Sequence, residues 1–159
     1  MSFKKIILAF VFTLLMLPAV CFADFTVSSN AKEFNIITGV YNLTGNVVVQ
    51  FPAQGSTMTI TGDKAIVQMY QQELHGNGNI TLAWNGLKFA CDKVDVYHTQ
   101  RTAYLKDRLV FDANGHHITS DQGQYNWQTK IAVFSGNVIV DNVSKNGDVK
   151  YSFKDNSFQ

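Results

Sequence analysis

The feature that most constrains this chain is an internal repeat. Asp63, Asp92 and Asp121 are spaced by 29 residues, and each opens a similar run: Asp63-Lys64-Ala65-Ile66-Val67, Asp92-Lys93-Val94-Asp95-Val96 and Asp121-Gln122-Gly123-Gln124-Tyr125. The same step carries Met58 to Leu87 to His116, Ile60 to Phe89 to Ile118, and Gln72 to Arg101 to Lys130. It also carries Ile80 to Leu109 to Val138 and Leu82 to Phe111 to Val140. A fixed period of this size signals stacked units, each adding one layer to a shared core. A looser copy precedes the three, where Leu43-Thr44-Gly45-Asn46-Val47-Val48-Val49 matches Phe134-Ser135-Gly136-Asn137-Val138-Ile139-Val140.

Within each unit apolar and polar residues alternate with period two, the pattern of strands with one buried face. Requiring one face to be apolar in every copy assigns Met58, Ile60, Leu87, Phe89 and Ile118 inward before the aspartate. After it come Val67 and Met69, with Ala65, then Val94 and Val96, then Tyr125 and Trp127. The later strand of each unit gives Ile80, Leu82 and Trp84, then Leu109 and Phe111, then Val138 and Val140, and the first copy adds Val47, Val49 and Phe51. A slip of one residue would bury the polar set, so the register is strongly specified. Turn chemistry recurs at Gly76-Asn77-Gly78-Asn79, Asn85-Gly86, Asp112-Ala113-Asn114-Gly115 and Ser135-Gly136-Asn137, where Gly and Asn supply the positive φ of tight turns and bulges. A final hairpin is expected from Val140 to Phe153, turning at Asn146-Gly147. With no period-3.6 stretch after Ala23, the fold class is all-β: a sandwich, roll or solenoid of stacked two-strand repeats.

Residues 1–23 stand apart. Lys4 and Lys5, the apolar run Ile6 to Leu17, the break at Pro18 and the small residues before Asp24 form a secretory signal peptide, the apolar run being shorter than the roughly 20 residues of a membrane span. The alternatives are a retained N-terminal anchor and a lipoprotein acylated at Cys21, for which Val20 is a poor fit. Cleavage predicts an exported, periplasmic chain whose residues 24–159 form a single domain. It also removes two lysines, so 11 basic residues face 12 acidic ones and no basic patch points to nucleic acid. Cys91 is then the sole cysteine, which excludes an intramolecular disulfide and reads as a buried structural thiol.

Little in the chain suggests catalysis, and no cofactor or metal is expected. The recurring aspartates each follow a turn or strand start, where Asp bonds local backbone amides, and that structural role is preferred to a catalytic or metal-binding one. His75, His98, His116 and His117 lack a metal-ligand spacing, and no nucleophile-elbow, P-loop or dinucleotide fingerprint is present. A repeat enzyme acting on polysaccharide would need clustered carboxylates, yet Glu33 and Glu73 are the sole glutamates.

The inward face is the stronger lead, because it mixes aliphatic residues with Phe51, Trp84, Phe89, Phe111, Tyr125, Trp127 and Phe134. In a closed roll that face is simply core, as in a scaffold or adhesin-like module. In a roll open along one side the same face becomes a groove for acyl chains, each buried methylene stabilising by about 0.8 kcal/mol.

These units resemble the OstA-like family of periplasmic lipopolysaccharide transport proteins. The resemblance rests on Leu43 to Val49, Phe134 to Val140 and Gly62-Asp63-Lys64-Ala65-Ile66-Val67, and spans roughly Leu43 to Val140. It implies a twisted β-jelly roll open along one side, whose apolar interior shields the acyl chains of lipopolysaccharide between the inner and outer membranes. It further implies edge-strand pairing, both head to tail with copies of itself and with inner- and outer-membrane transport components. The edges expected to pair lie near Phe34 to Val40 and Val149 to Phe153. Two departures, the longer Leu74-His75-Gly76-Asn77-Gly78-Asn79-Ile80 and the Gly-less Leu105-Lys106-Asp107-Arg108-Leu109, imply that the turns of the middle units differ.

Overall fold

A computed structural model describes residues 25–159, and the predicted signal peptide lies outside the described residues. The strands are β1 (Thr26–Ser28), β2 (Ala31–Asn35), β3 (Val40–Ala53), β4 (Ser56–Gln68), β5 (Glu73–Trp84), β6 (Leu87–Tyr97), β7 (Thr102–Ala113), β8 (His116–Asn126), β9 (Ile131–Ser135), β10 (Ile139–Val140), β11 (Val143–Ser144), β12 (Val149–Ser152) and β13 (Ser157–Phe158). They form one antiparallel sheet in which each strand from β3 to β8 pairs with the next in sequence. The fold is all-β, as the alternation predicts, and is the twisted, open β-jelly roll that the family resemblance implies.

What folds the sheet is a column of two-residue bulges that crosses it from end to end. The register jumps at Thr44/Val47, Thr61/Lys64, Asn77/Ile80, Ala90/Lys93 and Lys106/Leu109. Such interruptions bend a strand and raise its twist. Each long strand is thereby divided into two halves, and the sheet into two leaves. At the ends the division becomes a real break. β1 pairs with the second half of β3 and β2 with the first, while β9 and β10 pair with opposite halves of β8.

The bulges share one backbone solution. Consecutive left-handed residues occur at Gly45-Asn46 (φ 75°, 48°), Gly78-Asn79 (83°, 48°), Asp107-Arg108 (63°, 53°) and Gly136-Asn137 (74°, 46°). The middle units therefore do not differ, contrary to the expectation drawn from their sequence departures. Asp is among the few non-Gly residues that tolerate this region, so Asp107 replaces the glycine without changing the path. The two additional residues near Gly76 belong to the regular strand before the bulge.

Loops at the two rims are equally regular. One rim carries the two-residue turns Gln54-Gly55, Asn85-Gly86 and Asn114-Gly115, with both φ values positive in each. That is the primed hairpin turn whose twist matches its strands. The other rim carries four-residue turns that close on a left-handed residue, at Gln72 (57°), Arg101 (54°) and Lys130 (59°), the very positions related by the 29-residue step.

The C-terminus departs from expectation. The hairpin that follows Val140 turns instead at Asp141-Asn142, both left-handed, and joins β10 to β11, and a further hairpin joins β12 to β13. Asn146-Gly147 is instead the crossing from one leaf to the other, because β12 pairs with β9 in the opposite half of the sheet. The expected edge at Val149 to Phe153 is likewise corrected: β12 is flanked by β9 and β13. At the other end β2 is an edge, but it stops at Asn35, and Ile36 to Gly39 form a turn.

The bulge column yields a differential test. A Cβ on Gly78 would lie 2.5 Å from Asp63 Oδ2, whereas one on Gly86, at nearly the same φ, meets nothing within 4 Å. Urea unfolding should show Gly86→Ala costing about 1 kcal/mol for the left-handed backbone alone, and Gly78→Ala costing about 2 kcal/mol or more. Equal costs would mean that the close approach at Gly78 is immaterial.

Candidate functional site

The two leaves face each other across a continuous apolar layer. On one leaf Val47, Val49, Met58, Ile60, Ile80, Leu82, Trp84, Leu87, Phe89, Leu109, Phe111, Ile118, Val138 and Val140 point inward. On the other they are met by Val67, Val94, Val96, Tyr125 and Trp127. Every one of these predicted positions is buried, and Met69, in a rim turn, is partly so. Aromatic rings join the leaves: Phe89 lies 6.4 Å from Phe134 and 5.3 Å from Tyr125, Phe111 5.5 Å from Phe134, and Phe51 5.9 Å from Trp127.

Several inward residues escape the repeat as first read: Leu43, Leu74, Ala103, Leu105, Ala132 and Tyr151. All of these precede a bulge or follow the last one, whereas the return strands were traced only from the Gly-Asn onward. The signal was present, since Leu74, Ala103 and Ala132 follow the 29-residue step, as do Gly76, Leu105 and Phe134.

Opposite the bulge column the rims of the two leaves meet, and polar groups lace them together. His98 Nε2 lies 3.1 Å from the Pro52 carbonyl and its Nδ1 3.2 Å from Gln72 Oε1. Towards the C-terminal end Asn114 Nδ2 donates to Asn156 Oδ1 at 2.8 Å and to the Tyr151 hydroxyl at 3.4 Å. Trp84 Nε1 donates to the Ala53 carbonyl at 3.0 Å, holding its indole inside the layer. These few contacts are weaker than the covalent apex, so this rim is where the layer opens at least cost.

The recurring aspartates accept from side chains on the next strand rather than from the local backbone amides expected of them. Asn79 Nδ2 donates to Asp63 Oδ2 and Asn137 Nδ2 to Asp121 Oδ2, both at 2.8 Å. Arg108 binds Asp92 through Nε at 2.8 Å and a second nitrogen at 2.6 Å, and this guanidinium holds the Asp92 carboxyl below the usual carboxylate range. Asn46 and Asn30 make the equivalent bond at 3.3 Å in the first unit. On the outer face Asp95 accepts from Lys106 and meets His75 Nδ1, both at 2.8 Å. Partial burial raises the Asp95 carboxyl, but these hydrogen bonds outweigh it and leave it lowered. Among the described residues no group of three or more His, Cys, Asp or Glu is arranged to hold a metal ion.

Besides the buried hydroxyls of Thr102, Ser120 and Ser152, Cys91 and Tyr125 carry polar groups into the interior. Cys91 donates its thiol to the Lys93 carbonyl at 3.1 Å, and burial pushes the thiol up to about 11. The Tyr125 hydroxyl, fully enclosed, has no hydrogen-bond partner in the protein, and burial pushes it up as well.

The fold is thus a bent sheet whose two leaves enclose one apolar layer, joined along one side by the bulge column and along the other by rim contacts. The sequence matches the family model described as OstA-like protein over residues 22–148, and the chain belongs to that family. Among solved structures it is similar to LptH of Pseudomonas aeruginosa, described as the LptA-homologous periplasmic component of the conserved lipopolysaccharide transport device. The TM-score is 0.65 at 17% identity, covering 74% of this chain and 94% of LptH, a likeness of fold. A comparison with curated proteins returned no match.

Two titrations check the local chemistry. With its thiol raised to about 11, Cys91 should resist thiol reagents in native buffer at about pH 8 and react once urea unfolds the chain. Because the Asp95 carboxyl is lowered by folding, its contribution is present above the unfolded value of about 3.9 and is lost as pH falls through the folded value. Asp95→Asn should therefore cost up to about 1 kcal/mol at neutral pH and nothing near pH 2. An equal cost at both values would assign the loss to packing.

Proposed function

We infer that this protein is a non-catalytic periplasmic carrier that moves lipopolysaccharide from the inner to the outer membrane by shielding its acyl chains between the two leaves. The observation that carries the reading is the continuous aliphatic and aromatic layer, closed on one side by the bulge column and on the other by a few polar rim contacts. Membership of the OstA-like family and the fold shared with LptH support it. Transfer of an acyl chain into such a layer is favoured by about 0.8 kcal/mol per methylene, with no need for charge recognition. In this reading the inward set from Val47 to Val140 forms the lipid contact surface.

Assembly follows from the ends of the sheet. β2 presents an unpaired edge flanked by exposed Phe34, Ile36 and Ile37, and β11 and β13 present short edges at the opposite end. Unpaired edges of this kind accept a strand from another chain. Pairing of the two unlike ends would build a head-to-tail bridge of copies, with inner- and outer-membrane transport components at its ends.

Site-specific photo-crosslinking in cells tests the proposal. A photoreactive residue at Phe89, Phe111 or Trp127, all inward, should yield lipopolysaccharide adducts, and one at the outward Gln68 or Gln124 should not. Adducts from neither group, in folded and exported protein, would leave a closed scaffold roll as the better account.

A further inference from the structure

The C-terminal turn that follows β12 begins, as the turns at Met69 and Trp127 do, with a side chain turned towards the apolar layer. Its first residue, Phe153, is folded back onto three inward rings on three different strands: Phe111 at 5.4 Å, Tyr125 at 5.3 Å and Phe89 at 6.4 Å. Tyr151, itself fully buried, meets Phe153 edge to face at 5.0 Å. Yet Phe153 is only partly buried, so the ring closes the layer from its solvent side. The segment that carries it is held lightly. Phe153 N–H donates to the Lys130 carbonyl at 2.9 Å, Asn114 ties Asn156, and β13 adds a two-residue pairing.

Beneath this ring sits Tyr125, whose hydroxyl is the sole buried side-chain oxygen or nitrogen without a partner among the described residues. Enclosing a hydroxyl without a hydrogen bond is costly, and a native interior retains such a group where something else satisfies it. The surrounding rings Trp84, Phe89 and Phe153 offer no acceptor or donor to Tyr125.

We propose that Phe153 and Tyr125 form a gated acyl subsite: the Phe153 ring occupies the place of a lipid chain in the empty carrier, and on loading it swings out while the Tyr125 hydroxyl bonds a neutral oxygen on the incoming chain. The proposal rests on the carrier reading above and names the chemistry of one contact within it. A carboxylate or phosphate would not follow its chain into this layer, because desolvating the charge is prohibitive. The oxygen must therefore be a hydroxyl or an ester or amide carbonyl attached to the hydrocarbon. Such a contact lets an otherwise undiscriminating apolar layer distinguish an oxygen-bearing acyl chain from plain hydrocarbon, since a buried polar group left unpaired penalises the wrong ligand.

Two uncharged chains that differ by one hydroxyl, tetradecane and 1-tetradecanol, provide the test on the exported protein. Phe153→Ala should bind both about threefold more tightly or better, because the competing ring is gone. Tyr125→Phe should lose about tenfold of the wild type's preference for 1-tetradecanol over tetradecane, the cost of one unmade hydrogen bond. Its ligand-free melting temperature should equal or exceed that of the wild type, which reports that it is folded. A third measurement needs no variant: saturating the wild type with 1-tetradecanol should accelerate hydrogen exchange at the Phe153 amide. Bound 1-tetradecanol with unchanged exchange there, or an unchanged preference in Tyr125→Phe, would overturn the subsite and leave the carrier reading standing. A wild type that binds neither chain would overturn both.

Discussion

Everything in this fold hangs on the bond that crosses the bulge column. In each unit a side chain on one strand, Asn30, Asp63, Asp92 or Asp121, receives a donor from the left-handed residue sixteen positions later on the next strand. The bond fills the gap that a two-residue bulge leaves in the ladder, and it fixes the backbone at a φ that few residues accept. Without it a fourteen-residue strand such as Val40–Ala53 would run straight. A straight strand leaves one face of the sheet in water; the bent strand turns both of its halves onto the same apolar layer.

This explains why the aspartates recur. A carboxylate that accepts from a side-chain amide or a guanidinium on the adjacent strand is a spacer with a fixed direction. Arg108 serves where the other units use asparagine, and Asp107 serves where they use glycine, the latter also pairing with Lys93 at 2.9 Å. The middle unit therefore reaches the same backbone by a more charged route. Exposed pairs of this sort contribute little stability, so their value is geometric.

Function follows from how unevenly the layer is closed. Along the bulge column the closure is covalent and continuous through every strand. Along the opposite rim it consists of a histidine, two asparagines and, near one end, a phenylalanine turned inward. Apolar association is non-directional, so rings such as Phe89 and Phe111 lose little when a hydrocarbon chain replaces a neighbouring ring. In the proposed carrier, a layer held in this way would exchange its own packing for that of a lipid without unfolding the sheet.

The sequence alone determined the all-β class, the period, the inward face and the family, because alternation and turn residues are local and recur every 29 positions. It did not reveal that each strand serves two leaves: Leu43, Leu74 and Leu105 keep the alternation phase of Val47, Ile80 and Leu109, but they lie on the near side of their bulges, before the point from which the return strands are read in the repeat. Nor could it place the C-terminus, where Asn146-Gly147 has the composition of a hairpin turn and acts as a crossing between leaves. Those features depend on which half-strand of β8 or β9 is left unpaired, a question of long-range register. The inward fold of Phe153 and the unpartnered hydroxyl of Tyr125 belong to the same class. They arise from side chains 28 residues apart meeting across the closed layer, and only the tertiary structure brings them together.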